Sequence, residues 1–252
     1  MRTRLTIALA GMMLAGCTGP EAEAAPTAPL SPSAVTASPS PSPQSAREEF
    51  RAALQRLGTT TYRFTMTGDY WDKQKIKMSG AVDPRARTQT RTTVITGGPG
   101  AKTRKAIVIG NDSYTANRDA GPWVHADMSR LEAGHSFRVV DPKDPIGVSG
   151  FVAGLIEVQR AGPRSFKGSS LVSGDHGTPV GAPWMVFAQK QAVVYYTATV
   201  DAHGRLASMQ TDVSAKGDGL LSQTMTFSAH GQPVTAVRPS GAAELGRDDY
   251  DK

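Results

Sequence analysis

The chain of 252 residues predicts an α+β fold made mostly of antiparallel strands. Three observations carry the prediction. Two long blocks, one opening at Tyr62 and one at Val193, alternate apolar and polar residues with a period of two. A single amphipathic stretch, Ser45 to Leu57, precedes the first block. Between the blocks the alternation breaks and apolar residues fall at helix-like spacing.

In the amphipathic stretch, Phe50, Ala53, Leu54 and Leu57 line one face, and Arg47, Glu48, Arg51 and Gln55 the other. Ser45 is the expected N-cap, Glu48 completes a capping box, and Gly58 ends the helix. Next, Tyr62, Phe64, Met66, Gly68 and Tyr70 alternate with Arg63, Thr65, Thr67 and Asp69. After an Asp72-Lys73 turn, Ile76, Met78, Gly80 and Val82 alternate with Lys75, Lys77 and Ser79. Arg87 to Ile95, Lys102 to Ile109, Ser113 to Asn117 and Trp123 to Ala126 continue the meander across Gly-rich turns.

Met128 to Ala133 suggests one helical turn. Pro145 to Val158 suggests a helix opened by Asp144 and weakened by Gly147, Gly150 and Gly154. A strand is expected near Ser165 to Val172, then irregular chain through Gly174 to Pro183. Val193 to Val200, Arg205 to Ser214, Leu220 to Ser228 and Pro233 to Arg238 resume the strands, with turns at Asp201-Ala202-His203-Gly204 and His230-Gly231. Residues 240–252 lack periodicity and are expected to be a disordered tail.

The start of the chain has a different character. Arg2 and Arg4 precede an apolar run, Leu5 to Ala15, too short to span a bilayer comfortably, which takes about 20 residues. Leu14-Ala15-Gly16-Cys17 resembles the bacterial lipobox. The resemblance implies a signal peptide over 1–16 and a diacylglyceryl group on the Cys17 sulfur. Cleavage before Cys17 would follow, with N-acylation, as by palmitate, or a free amine. An ordinary signal with an incidental cysteine is the alternative. Residues 17–44, rich in Pro, Ser and Ala, have nothing to bury and should form a disordered tether. Pro-rich chain extends about 3.1 Å per residue, enough to hold a domain well clear of a membrane.

Composition narrows the partners. Net charge is +6 and falls by two when Arg2 and Arg4 leave with the signal. No dense basic block exists, so nucleic acid is not an expected partner; anionic headgroups or wall polymers suit the modest excess better, and a merely soluble surface accounts for it more simply than either. Cys17 is the only cysteine, which rules out an internal disulfide.

The phrases TTTYRFTMTGDY, KMSGAVDP, NDSYTANRDAGPWVHAD, VDAHGRL and MTFSAHGQPVTAVRP, in that order behind a lipobox and tether, resemble the actinobacterial LppX and LprG lipoproteins and, more distantly, the carrier LolA. For residues 45–239 the resemblance implies a strongly curved antiparallel sheet, an unclosed half-barrel with helices covering its concave face around an apolar cavity. It also implies lipid or glycolipid binding, with transfer as an extension, on the extracytoplasmic face of the cell membrane. The segment from Gly162 to Gln191 departs from the pattern.

The apolar strand faces themselves are rich in methionine, an unbranched residue that adapts to irregular partners. Tyr62, Phe64, Met66, Met78, Val82, Val194, Tyr196, Met209, Met225 and Phe227 are the lipid-cavity candidates, or an ordinary core. Gly68 and Gly80 on these faces suit curvature or close approach. Catalytic motifs are missing from the sequence: Gly97 to Thr103 lacks the glycine before lysine of a phosphate loop, and His176, His203 and His230 precede glycines as turn residues do. No enzyme, metal or cofactor is expected. The reading is a monomeric lipid-binding lipoprotein anchored through Cys17, and the alternative is an envelope sensor or scaffold with a filled core that contacts a protein partner.

Overall fold

The amphipathic stretch forms α1 (Pro43–Leu57) in a computed structural model that describes residues 43–69, 73–118, 121–131, 144, 147–173, 191–215 and 219–250. The signal peptide, Cys17, nearly all of the tether, Trp71, His135, and residues 174–190 with His176 and Trp184 lie outside the described residues. The helix begins at Pro43, two residues before the expected cap at Ser45. Proline is at home in a first helical turn, where its missing N–H costs nothing.

The strands follow in the expected order. The first block gives β1 (Tyr62–Asp69), β2 (Lys75–Asp83), β3 (Thr88–Thr96), β4 (Lys102–Ile109), β5 (Asp112–Ala116) and β6 (Val124–Asp127), then a 3₁₀ turn at Met128–Arg130. A short helix, α2 (Val148–Ala153), leads into β7 (Leu155–Gly162), β8 (Ser165–Ser173), β9 (Gln191–Val200), β10 (Leu206–Ala215) and β11 (Gly219–Ser228). The chain finishes with β12 (Ala243–Glu244) and α3 (Arg247–Tyr250).

All twelve strands among the described residues join one sheet in the order β12-β6-β5-β4-β3-β2-β1-β11-β10-β9-β8-β7. Each block is a meander, and β1 pairs antiparallel with β11 to fuse them. The sheet is open, with β12 and β7 at its edges. Its curvature follows from size. Strands sit about 4.8 Å apart, so the eight from β3 to β7 would span roughly 34 Å if flat. All eight nevertheless contribute to one cluster around Phe50 and Leu54 of α1 and Phe151 of α2. A sheet that wide twists and curls, and this one is curved without closing into a barrel.

The helices cover one half of this concave face. α1 packs chiefly on β7 and on α2, and α2 on β8. Phe50 stacks on Tyr196 at 4.9 Å and lies 5.3 Å from Phe166. Arg47 donates to the Leu155 and Ile156 carbonyls and Arg56 to those of His203 and Gly204, tying down both ends of α1.

Three expectations change. The helix expected over Pro145 to Val158 is helical, among the described residues, only at Val148–Ala153. Asp144 does start it, its carboxylate accepting from the Val148 and Ser149 N–H groups at 2.7 and 2.8 Å. It ends because Gly154 passes so close to Leu171 that a Cβ would strike the Leu171 carbonyl, and Leu171 N–H donates to the Gly154 carbonyl at 2.8 Å. Pro233 to Arg238 joins no ladder. It is bounded by prolines, and Val237 points to solvent.

The tail expected to fray is held down. β12 runs parallel to β6, and Leu245 and Tyr250 are buried with Val108, Ala126, Met128 and Leu131 in a second cluster. Two apolar side chains without periodicity anchor a segment that alternation cannot flag. His125 helps hold it, with Nδ1 2.8 Å from the Glu244 carboxylate, Nε2 3.1 Å from Asp112, and its ring stacked 4.8 Å from Tyr114. Arg238 also reaches Asp112, at 2.7 Å.

Burial opposes charge on His125, but hydrogen bonds to Glu244 and Asp112 outweigh it and raise its pKa above the usual 6.5. A raised pKa means stabilisation fully present below 6.5 and lost as pH climbs through the folded value. The Ala243 and Leu245 amides, which donate to the Trp123 and His125 carbonyls, should therefore exchange several-fold faster at about pH 8 than at about pH 6 after intrinsic-rate correction. His125→Gln should flatten the difference; equal protection of the unmutated chain at both pH values would contradict the clamp.

Candidate functional site

Alternation on each strand turns every second side chain toward the helices. The register then decides which of them meet. Met78 on β2 stands opposite Met66 on β1, Met66 opposite Met225 on β11, and Met225 opposite Met209 on β10. Four methionines thus form one straight row across four neighbouring strands, about 14 Å from end to end. Met209, Met66 and Met225 are buried, and Met78 at the outer end is half-buried.

The other candidates flank the row. Phe64 sits opposite Phe227, and Tyr62 opposite Val82. Tyr62 also meets Phe227 edge-on at 5.8 Å. All four are buried on the concave face. Burial drives the Tyr62 pKa far above its usual value, with the Asp144 charge adding to the effect, so Tyr62 stays neutral. Tyr196 is engaged by the helices: it stacks on Phe50, meets Phe151 edge-on at 5.5 Å, and donates from its hydroxyl to the Glu157 carbonyl at 2.9 Å. Val194 is buried beside Val213 near the start of β9, apart from the central cluster.

Two glycines make the packing of the row possible. A Cβ on Gly80 would run into the Thr90 carbonyl and lie 2.8 Å from the Phe64 ring, and one on Gly68 would come within 2.5 Å of the Ser222 carbonyl. The close approach expected of both positions is what the sheet uses.

No protein-family model matches this chain. No curated protein matches it either. Among solved structures it is similar to an uncharacterized conserved protein from Thermus thermophilus, with TM-score 0.42 and 10% identity over 80% of this chain and 99% of that one. It is also similar to a LolA superfamily protein from Nitrosomonas europaea, with TM-score 0.32 and 8% identity over 78% of this chain and 96% of that one. The fold expected from the sequence is seen in the chain's own ladder: a large curved antiparallel sheet, not closed into a barrel, with few helices.

The turns at His203-Gly204 and His230-Gly231 form where they are expected. In the β9–β10 turn Asp201 accepts from the His203 and Arg205 N–H groups at 2.8 and 2.9 Å, and Gly204 takes a left-handed conformation. His230 Nε2 lies 3.0 Å from the Leu206 carbonyl. Gly97 to Gly100 is the β3–β4 turn, packed on the buried Gln74.

What the sequence reading passed over is polar. In phase with Ile95, the concave face of β3 also carries Thr93, Arg91 and Gln89, and that of β4 carries Arg104 beside Ala106 and Val108. Counting back by twos from Ile95 would have placed an arginine among core positions. Gln89 is buried, as are Ser113 and Thr115 on β5. This polar strip separates the methionine cluster from the cluster under the C-terminal segment.

Proposed function

We propose that this chain is a non-enzymatic lipoprotein, anchored through Cys17 on the extracytoplasmic face of the cell membrane, whose half-barrel binds an acyl lipid or glycolipid on its concave face. The observation that carries the reading is the row of four methionines. A core under selection for rigidity alone favours Leu, Ile and Val, whose rotamers are well defined. Methionine is flexible and polarizable, and suits a floor that must repack around a mobile chain. The row also runs out from the half of the face where α1 and α2 pack, ending at the half-buried Met78. The likeness of the sequence phrases to LppX and LprG, and the lipobox, agree with this reading. Transfer of the lipid between membranes is its natural extension.

A second reading has its own observation. Leu171 and Val193 face each other across β8 and β9, with Tyr195 nearby, and all are exposed on the face turned away from the helices. An envelope scaffold with a filled core would use such a surface to hold a protein partner.

Native mass spectrometry of the full chain from its own kind of cell should show a lipid-sized mass excess. The doublet Met66→Gln and Met78→Gln, checked for folding by circular dichroism, should lose most of it. Lipid absent from both proteins, or present equally in both, favours the scaffold. Independently, Cys17→Ser should move the protein from the membrane fraction to the soluble fraction, and unchanged partition would remove the anchor from the account.

A further inference from the structure

The large apolar side chains that stay exposed gather at one end of the sheet. Ile156, Leu171, Val193 and Tyr195 are four of the five among the described residues. The fifth, Val237, precedes Arg238, which reaches Asp112 at the opposite end. Leu171 stands opposite Val193, two residues from the end of β8 and from the start of β9. Tyr195 follows on the same face, opposite Ser169. Ile156 occupies the bulge at the start of β7, between the pairs Leu155 with Ser170 and Glu157 with Ser169.

α1 begins at this same end. Arg47, near its start, donates to the Leu155 and Ile156 carbonyls, whereas Arg56, near its finish, reaches His203 and Gly204 in the turn beyond β9. The chain that leads back to Cys17 therefore enters the domain beside the apolar patch.

We propose that this end of the half-barrel seats on the bilayer that holds the lipid anchor, with Ile156, Leu171, Val193 and Tyr195 in the headgroup region. The inference rests on the Cys17 anchor reading and goes beyond it. The anchor determines which membrane the domain visits, and this surface determines which way up it stands.

Place and chemistry favour lipid as the occupant over a protein partner. A contiguous exposed apolar patch marks an interaction surface, and this one lies where the anchored chain arrives. Tyrosine suits the interface, with its ring in the apolar layer and its hydroxyl in water. Glu157 and Asp212 border the patch, each one ladder step from it, so the contact is shallow. Register carries the same rim around the sheet, from Tyr195 through Asp212 and Ser222 to Asp69, which is ion-paired with Lys75. Lys73, Lys77 and Lys102 are exposed there and can meet lipid phosphates. A flexible tether presents the domain to its bilayer at an effective concentration on the order of a millimolar. A contact too weak to hold a free chain is then enough for a tethered one.

The acylated full chain, reconstituted in mixed phosphatidylcholine and phosphatidylglycerol vesicles, tests this. Cys17 is the only native cysteine, so Tyr195→Cys and, at the opposite end, Ala202→Cys each give a unique thiol for a polarity-sensitive fluorophore. The label at position 195 should shift to the blue and be quenched by brominated lipid, and the label at 202 should do neither. Leu171→Ser with Val193→Ser should lower the bound-to-free ratio of the 195 label about tenfold and leave the melting temperature unchanged. Val237→Ser should leave the ratio as it was.

Two labels equally wet, or equally quenched, on vesicles that retain the protein overturn the seat and leave the anchor standing. A 195 label still in lipid after the double serine change overturns it too. Shielding of the 195 label in native membranes but not in pure lipid overturns it in favour of a protein partner. If the unmutated chain carries no acyl group and does not stay with the vesicles, the anchor reading fails, and this inference with it.

Discussion

The pairing of β1 with β11 is the constraint on which the molecule depends. Each block of strands could form a meander from local hairpins, but two separate meanders would leave two half-covered sheets. Only the ladder from Arg63 opposite Ser228 to Gly68 opposite Gln223 makes them one sheet. That register also sets Met66 against Met225, and a slip of one residue would turn one strand's apolar set to the wrong face. The contact joins residues about 160 positions apart, so its loop-closure entropy must be met by burial. The side chains beneath it, Phe64, Met66, Met225 and Phe227, are all buried.

Once the sheet is continuous, α1 and α2 fill one half of its concave side. They lie over β7 and β8, and the aromatic cluster of Phe50, Phe166 and Tyr196 fills that side. The concave face is thus graded: aromatic and close-packed under α1, methionine-rich at the join, polar and cationic on β3 and β4, then apolar again under the C-terminal segment.

Much of this was legible in the sequence. Period-two alternation marked β1, β2 and β9 to β11 to within a residue or two, because one face of these strands is largely buried and the other largely exposed. The spacing of Phe50, Ala53, Leu54 and Leu57 gave α1. The ten cavity candidates all lie on one face for the same reason. Long-range register was not legible: nothing local says that Met66 and Met225 touch. Nor was α2 readable at its true length, since a backbone approach at Gly154 ends it and apolar spacing carries no trace of that. Arg91 and Arg104 escaped notice because arginine at a core phase looks like a break in the pattern. The anchored tail escaped because Leu245 and Tyr250 act as isolated pegs.

The central claim is that the methionine row is a surface for acyl chains and not sealed core. Methyl carbon-13 spectra of the full chain, labelled at methionine and titrated with a short-chain lipid, test it most directly. The account predicts that the Met66, Met78, Met209 and Met225 methyls shift together and saturably while Met128, in the second cluster, stays in place. Four unmoved methyls, with lipid bound or not, would contradict it.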